Sequence, residues 1–190
     1  VLGMVLMILV AWIFHRFRPR TIDRTFRVAQ FVSAGLYSIG HGGNDAQKTI
    51  GVIALVFVAG GQLTMKQVEA GDIPTWIVFA SYGCMALGTA IGGWRIVKTM
   101  GMGITSLKPV GGFCAEMAGA TTLFGATLLD IPVSTTHTIT GAIVGVGSVT
   151  KLHGIRWGVA ARIIWAWVLT IPMAGVVSAL TFTAVQALSP

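Results

Sequence analysis

Three long runs of this sequence contain no Asp, Glu, Lys or Arg: Ile73–Trp94, Ile131–Thr150 and Ile163–Pro190. Each meets or exceeds the roughly 18–20 residues that an α-helix needs to cross the hydrocarbon layer of a bilayer. Only 10% of the 190 residues are charged and 54% are hydrophobic, with a mean hydropathy of +0.81. A soluble domain carries about 25% charged residues. A water-soluble globular domain, a disordered chain and a polar nucleic-acid module are therefore excluded. The expected fold class is all-α integral membrane protein, with the whole of 1–190 as one multi-pass transmembrane region in the lipid bilayer.

The charges that remain lie between the apolar runs. They divide the chain into Val1–Phe14, the end of a membrane helix; a basic loop at 15–27 with Arg16, Arg18, Arg20, Arg24 and Arg27 against Asp23; and an apolar segment at 26–60 interrupted at Gly40–Lys48. A weakly acidic loop at 61–74, a span at 75–94, a second basic loop at 95–108 and an apolar segment at 109–149 follow. A third basic stretch at 151–162 and a last span at 163–188 complete the chain. The net charge of +7 thus has the pattern of cytoplasmic loops and not of a nucleic-acid face. The positive-inside rule puts 15–27, 95–108 and 151–162 in the cytoplasm and 61–74 outside. Segment 109–149 must leave and return to one face, as two full helices or as a re-entrant hairpin. The break at Asp130-Ile131-Pro132, with polar residues after it, favours a hairpin whose tip is buried in protein. The chain opens on Val1, and its first apolar run is too short for a span, so a fragment of a longer protein is expected.

Glycine is abundant: 25 residues where average usage of about 7% predicts roughly 13. Gly83, Gly88, Gly92, Gly93, Gly141, Gly145 and Gly147 sit in apolar runs, and Gly88-x-x-x-Gly92 and Gly141-x-x-x-Gly145 have small-xxx-small spacing. Close helix packing is the expected use. Cys84 and Cys114 lie in apolar stretches without metal-ligand spacing and read as buried free thiols. No metal site is expected.

Two motifs interrupt the apolar background. The first runs from Ser38 through Gly40, His41, Gly42, Gly43, Asn44, Asp45, Gln47 and Lys48 to Thr49. The glycines are expected to break the helix, with Asn44 or Asp45 capping a new half-helix from Ala46. Ionisable groups inside a membrane cost roughly 2.5–3.5 kcal/mol each on insertion scales. Asp45 and Lys48, three residues apart, can pair on one helix face. A structural ion pair at a helix break is the plain reading; a transporter's substrate or ion site at a discontinuous helix is the functional one.

The second motif is Asp130-Ile131-Pro132-Val133-Ser134-Thr135-Thr136-His137-Thr138. Pro132 is expected to halt one helix and Ser134 to cap the next. Hydroxyls and free backbone N–H groups then gather at a helix N-terminus, a ready anion site. Ser and Thr bonding back to helix carbonyls is the plain alternative. Together the motifs are expected to bring two half-helix N-termini to converge near the membrane midplane, with Asn44, Gln47, Ser134, Thr135 and Thr136 as neutral donors and Lys48 as a cation around an anion. The Asp45 carboxylate tolerates an anion that keeps a proton to donate, which hydrogen phosphate does and sulfate does not. Glu116 is a further intramembrane carboxylate, functional by default. His41 and His137 could relay protons or serve as neutral hydrogen-bonding groups.

At these residues the sequence resembles the inorganic phosphate transporter (PiT) family. His41-Gly42-Gly43-Asn44-Asp45 is similar to the family's Gly-x-Asn-Asp signature. Pro132-Val133-Ser134-Thr135-Thr136-His137 is similar to its Pro-x-Ser-Thr-Thr-His signature, and Glu116 falls where the family places a carboxylate. The resemblance implies secondary transport of inorganic phosphate across the cytoplasmic membrane, driven by a proton or sodium gradient, with bare phosphate or a divalent metal-phosphate complex as substrate and no other cofactor. It implies an architecture of broken helices in two inverted repeats. Each motif occurs once here, so the chain resembles the C-terminal repeat, with the N-terminal repeat as its partner and a homo-oligomer compatible with the sequence. Carried over, Asn44, Asp45, Gln47, Thr49, Ser134, Thr135 and Thr136 would bind substrate. Asp45, Glu116, His41 and His137 would serve coupling. Another oxyanion such as sulfate, or a non-transporting membrane subunit, is the alternative. No hydrolase elbow and no channel filter is present, so an enzyme is not expected.

Overall fold

The computed structural model describes residues 1–150 and 152–188. Lys151 of the third basic stretch, Ser189 and Pro190 of the last charge-free run, and the side chain of Arg95 lie outside the described residues. The chain divides into two units, Val1–Ile155 and the stretch from Arg156 onward. The regular secondary structure of the described residues is all helical, as expected. In the first unit α1 (Leu2–Phe14) leads to α2 (Pro19–Ala59), the short α3 (Met65–Glu69), α4 (Thr75–Lys98), α5 (Pro109–Leu128) and α6 (Thr135–Thr150). The second unit holds α7 (Trp157–Leu188), with Pro172 inside it. Two helices, over Thr75–Trp94 and Trp157–Leu188, are long and apolar enough to cross a membrane by length and composition.

The sequence expectations need three corrections here. First, α2 is one continuous helix of 41 residues. It is about 60 Å long at 1.5 Å per residue. The expected break at Gly40–Lys48 is absent, and Asp45 caps no half-helix. A helical glycine costs only about 1 kcal/mol relative to Ala, and packing offsets that: Gly40 is buried, and a Cβ on it would meet Leu123 at 3.4 Å. Second, the basic stretch at 15–27 is not all loop. Pro19 occupies the first turn of α2, so Arg20, Arg24 and Arg27 ride on a helix. The acidic loop 61–74 likewise contains α3, held by a capping box in which Thr64 and Gln67 satisfy each other.

Third, Pro132 does not end the helix before it. That helix, α5, stops at Leu128, and the stop is a Schellman motif. Asp130 takes a left-handed backbone with φ 52°. Its N–H reaches Thr127 O at 3.3 Å, and the Ile131 N–H reaches Ala126 O at 2.9 Å. Asp is one of the few non-glycine residues that adopt this conformation readily. The other two positive-φ residues, Gly61 and Gly71, end α2 and α3 by the same pair of bonds.

The expected hairpin is formed by α5 and α6, which pack together. Its tip ends level with Lys48, whose Nζ bonds the Val133 carbonyl at 2.6 Å. That is eleven residues before α2 ends at Ala59. Ile131 and Pro132 at the tip are exposed, so this chain alone does not bury the tip. At the other end, Phe26 stacks edge-on against Phe14 and Phe113, each at 5.1 Å, and Gly147 packs against Thr105 and Ile155. The first two basic stretches and the start of the third therefore meet at one end of the unit.

Glycine packing follows the expectation in part. A Cβ on Gly145 would fall 3.2 Å from Met4 N, and one on Gly3 would fall 2.6 Å from Ala142 O, so α1 and α6 meet backbone to backbone. Gly83, Gly88, Gly92 and Gly141 have open space around them, so their spacing is unused within this chain. Cys114 is buried as expected, but Cys84 is exposed.

These contacts set an expected outcome. Gly3→Ala should lower the midpoint of thermal unfolding in detergent, at a cost of about 1–3 kcal/mol for overpacking. Gly51→Ala, in an α2 position with nothing nearby, should leave it unchanged or raise it by the value of the better helix former, about 1 kcal/mol.

Candidate functional site

Polar residues recur along α2 at Gln30, Ser33, Tyr37, His41, Asn44, Asp45 and Lys48. Steps of three and four keep them on one face of an unbroken helix. That face lies against α5 and α6, and small residues on α5 make the room. A Cβ on Gly112 would collide with the Gln30 amide, and one on Gly119 would fall 2.8 Å from the Tyr37 ring. The hairpin thus packs its glycines against the larger polar side chains of α2.

The stripe holds two clusters. In the first, Ser33, fully buried, donates to Glu116 Oε2 at 2.5 Å, and Gln30 Nε2 donates to Oε1 at 3.4 Å. Sequence neighbours offered Glu116 no partner; the fold supplies two from a helix more than eighty residues away. Gln30, Ser33 and Tyr37 lie outside both motifs, and an expected helix break at Gly40–Lys48 separates them from the rest of the stripe. The 3.6-residue period, followed through the glycines, is the signal that would have found them.

The second cluster is built on Asp45. His41 Nε2 lies 3.0 Å from Asp45 Oδ2, and Lys48 Nζ lies 3.6 Å from Oδ1, the pairing that the spacing predicts. From the hairpin, the Thr135 hydroxyl lies 3.2 and 3.4 Å from the two carboxylate oxygens. Tyr37 donates to the Thr135 carbonyl at 3.4 Å and stacks edge-on with His41 at 5.6 Å. The two motifs therefore meet, but as one helix N-terminus against the middle of another helix. The expected convergence of two half-helix N-termini is not formed, because α2 does not break.

Ser134 caps α6 as expected: its Oγ accepts from the His137 backbone N–H at 3.3 Å. Thr138 bonds back to the Ser134 carbonyl at 2.9 Å, the plain reading for that hydroxyl. Thr136 is half-buried, and His137 is exposed in the first turn of α6. An open pocket of about 320 Å³ adjoins the cluster, lined by Asn44, Gln47, Lys48, Thr127, Asp130 and Pro132 among others. Asn44 is 6% exposed, and its buried Oδ1 has no hydrogen-bond partner. A buried polar atom left unpaired costs about 1–3 kcal/mol, so this one is placed to receive a donor. Thr49 is not brought to this site. It bonds back to the Asp45 carbonyl at 3.2 Å and lines an apolar pocket with Ile77, Ser81 and Cys84 on α4. Among the described residues no group of three or more His, Cys, Asp or Glu is placed to hold a metal ion.

The Glu116 cluster carries an expected outcome. Ser33→Ala should destabilise the protein by about 1–3 kcal/mol, the value of a bond to a charged or buried group. Glu116→Gln on that background should recover part of the loss. A double-mutant cycle read by thermal unfolding measures the coupling.

A profile described as the phosphate transporter family (PHO4) matches residues 2–178. A protein of Rhizobium meliloti named a probable low-affinity inorganic phosphate transporter is 54% identical over 184 residues, 97% of this chain and 54% of the relative. A Bacillus subtilis protein of the same name is 42% identical over 182 residues, 96% of this chain and 54% of its own. The chain thus spans about half the length of these relatives. A solved structure titled the sodium-dependent phosphate transporter superposes with a TM-score of 0.77 at 26% identity, covering 94% of this chain and 45% of that one. The expected resemblance and the half-transporter fold are both met. The profile match, the relatives and the superposition place this chain in the phosphate transporter family, a family of membrane transporters and not of enzymes.

Proposed function

We propose that this chain is one half of a secondary transporter that carries inorganic phosphate across the cell membrane, driven by a cation gradient. The observation that carries the reading is the Asp45 cluster beside the pocket in which the buried Asn44 Oδ1 lacks a partner. A phosphate there would meet Asn44, Gln47 and the Lys48 ammonium from α2. From the hairpin the pocket itself is lined by Thr127, Asp130 and Pro132, and we assign Ser134, Thr135 and Thr136, near the positive end of α6, as further donors to the anion. A protonated phosphate oxygen donates to Asp45 or to Asn44 Oδ1, whereas sulfate at neutral pH has no proton to give. His41, in contact with Asp45, serves proton coupling together with Glu116.

The gathering of basic segments at one end supports a cytoplasmic face there, with 61–74 outside. A hairpin that stops short of the end of α2 supports the re-entrant reading. The names of the relatives point to the same substrate. The other half, which the relatives carry, would complete the shell around phosphate.

The test is radiolabelled phosphate uptake into proteoliposomes by this chain joined to the remaining half of the Rhizobium meliloti relative. Uptake should saturate and exceed sulfate uptake. Asp45→Asn should lower it about tenfold or more, since a hydrogen bond to a charged group is worth about 1.5–3 kcal/mol. Thr135→Val should lower it by a similar factor. Equal phosphate and sulfate uptake would move the assignment to a general oxyanion carrier. A folded protein without uptake would move it to a non-transporting subunit.

A further inference from the structure

We infer that the Lys48 ammonium is a tethered cation occupying the place of a bound alkali-metal ion, and that it makes this half of the carrier independent of sodium. The inference rests on the transport reading above and concerns the same site. Lys48 Nζ sits between two oxygen acceptors from different elements, Asp45 Oδ1 at 3.6 Å and the Val133 carbonyl at 2.6 Å. Unwound backbone carbonyls are oxygen ligands by which transporters hold sodium, and a carboxylate oxygen is a hard ligand of the same kind. Hard cations in general take such oxygens.

The Val133 carbonyl is available for a local reason. It precedes the cap of α6, and the His137 N–H that would claim it in a longer helix is taken by Ser134 Oγ. Lys is suited to the position because its charge is a compact ammonium on a flexible four-carbon stem. Its place three residues after Asp45 lets one side chain reach both the carboxylate and the hairpin. His41 on Oδ2 and the Thr135 hydroxyl occupy the rest of the carboxylate. With Lys48 in place the local charge is balanced without a free ion. Shortening the side chain, which is 45% exposed, would leave the two oxygens without their cation and open to sodium from solvent.

The experiment uses the completed carrier described above and two readouts. Thermal unfolding is measured in sodium chloride and in choline chloride, and phosphate uptake is measured under a proton gradient with either salt. The unsubstituted protein should give the same unfolding midpoint and the same uptake in both. Lys48→Ala should lose about tenfold of its uptake in choline, recover several-fold in sodium, and unfold several degrees higher in sodium than in choline. Binding to the native state alone produces such a shift. Asp45→Asn added to Lys48→Ala should abolish the sodium response. Lys48→Ser opens the same space and serves if the alanine variant does not fold.

A Lys48 that only ties α2 to the hairpin would, when removed, lower stability equally in both salts, and that result overturns the inference. Sodium dependence in the unsubstituted protein overturns it as well. Absence of phosphate uptake in the folded unsubstituted carrier would count against the transport reading, while the unfolding midpoints of the variants would still decide the cation.

Discussion

The contact between α2 and α5 is the constraint on which the rest depends. A membrane helix that carries Gln30, Ser33, Tyr37, His41, Asn44, Asp45 and Lys48 on one face cannot turn that face to lipid, where each unpaired group costs several kcal/mol. It must turn it to protein, and the protein opposite must leave room. Glycines on α5 leave that room at Gly112 and Gly119, so polar side chains are packed in the seam instead of being excluded from it. The hairpin is positioned by this fit, and Thr135 is carried to Asp45 as a consequence.

The same arrangement explains why the proposed site concentrates on the hairpin tip. Helix α5 is closed by a Schellman motif at Asp130, and α6 is opened by the Ser134 cap. The residues between them have backbone groups unclaimed by either helix. One of these, the Val133 carbonyl, faces Lys48. A short unwound segment inside a transporter half thus supplies both a positive helix end and a negative carbonyl within a few residues. The four-residue gap between Asp130 and Thr135 is a candidate site built by two helix-end motifs.

Much of this was legible in the residues. The charge-free runs announce membrane helices because the bilayer offers no water to ionised groups. The Asp45–Lys48 pairing, the Ser134 cap and the hairpin follow from local spacing alone, and the two motifs together are specific enough to indicate the family. The error over α2 is instructive. Gly40, Gly42 and Gly43 each weaken a helix by only about 1 kcal/mol, and Gly40 packs against Leu123 and Phe124, a contact that the sequence does not display. Assuming a break split the polar stripe and concealed Ser33 and Tyr37. Thr49 was misplaced for a related reason: it is adjacent to Lys48 in sequence, but one helical step turns it toward α4.

By itself the sequence determined that the chain is a multi-helix membrane protein, that two polar motifs lie within its apolar segments, and that both carry the marks of the phosphate transporter family. Those are properties of composition and of spacing over a few residues, where local physics suffices. Only the tertiary structure decided that α2 runs unbroken, that Glu116 is held by Ser33 and Gln30, and that Asp45, Thr135, His41 and Lys48 form one cluster with the Val133 carbonyl. Apart from the local pairs of Asp45 with His41 and Lys48, those contacts join residues more than eighty positions apart. They are set by how closely two helices can approach, and that distance depends on the pairing of glycine with side chain across the seam.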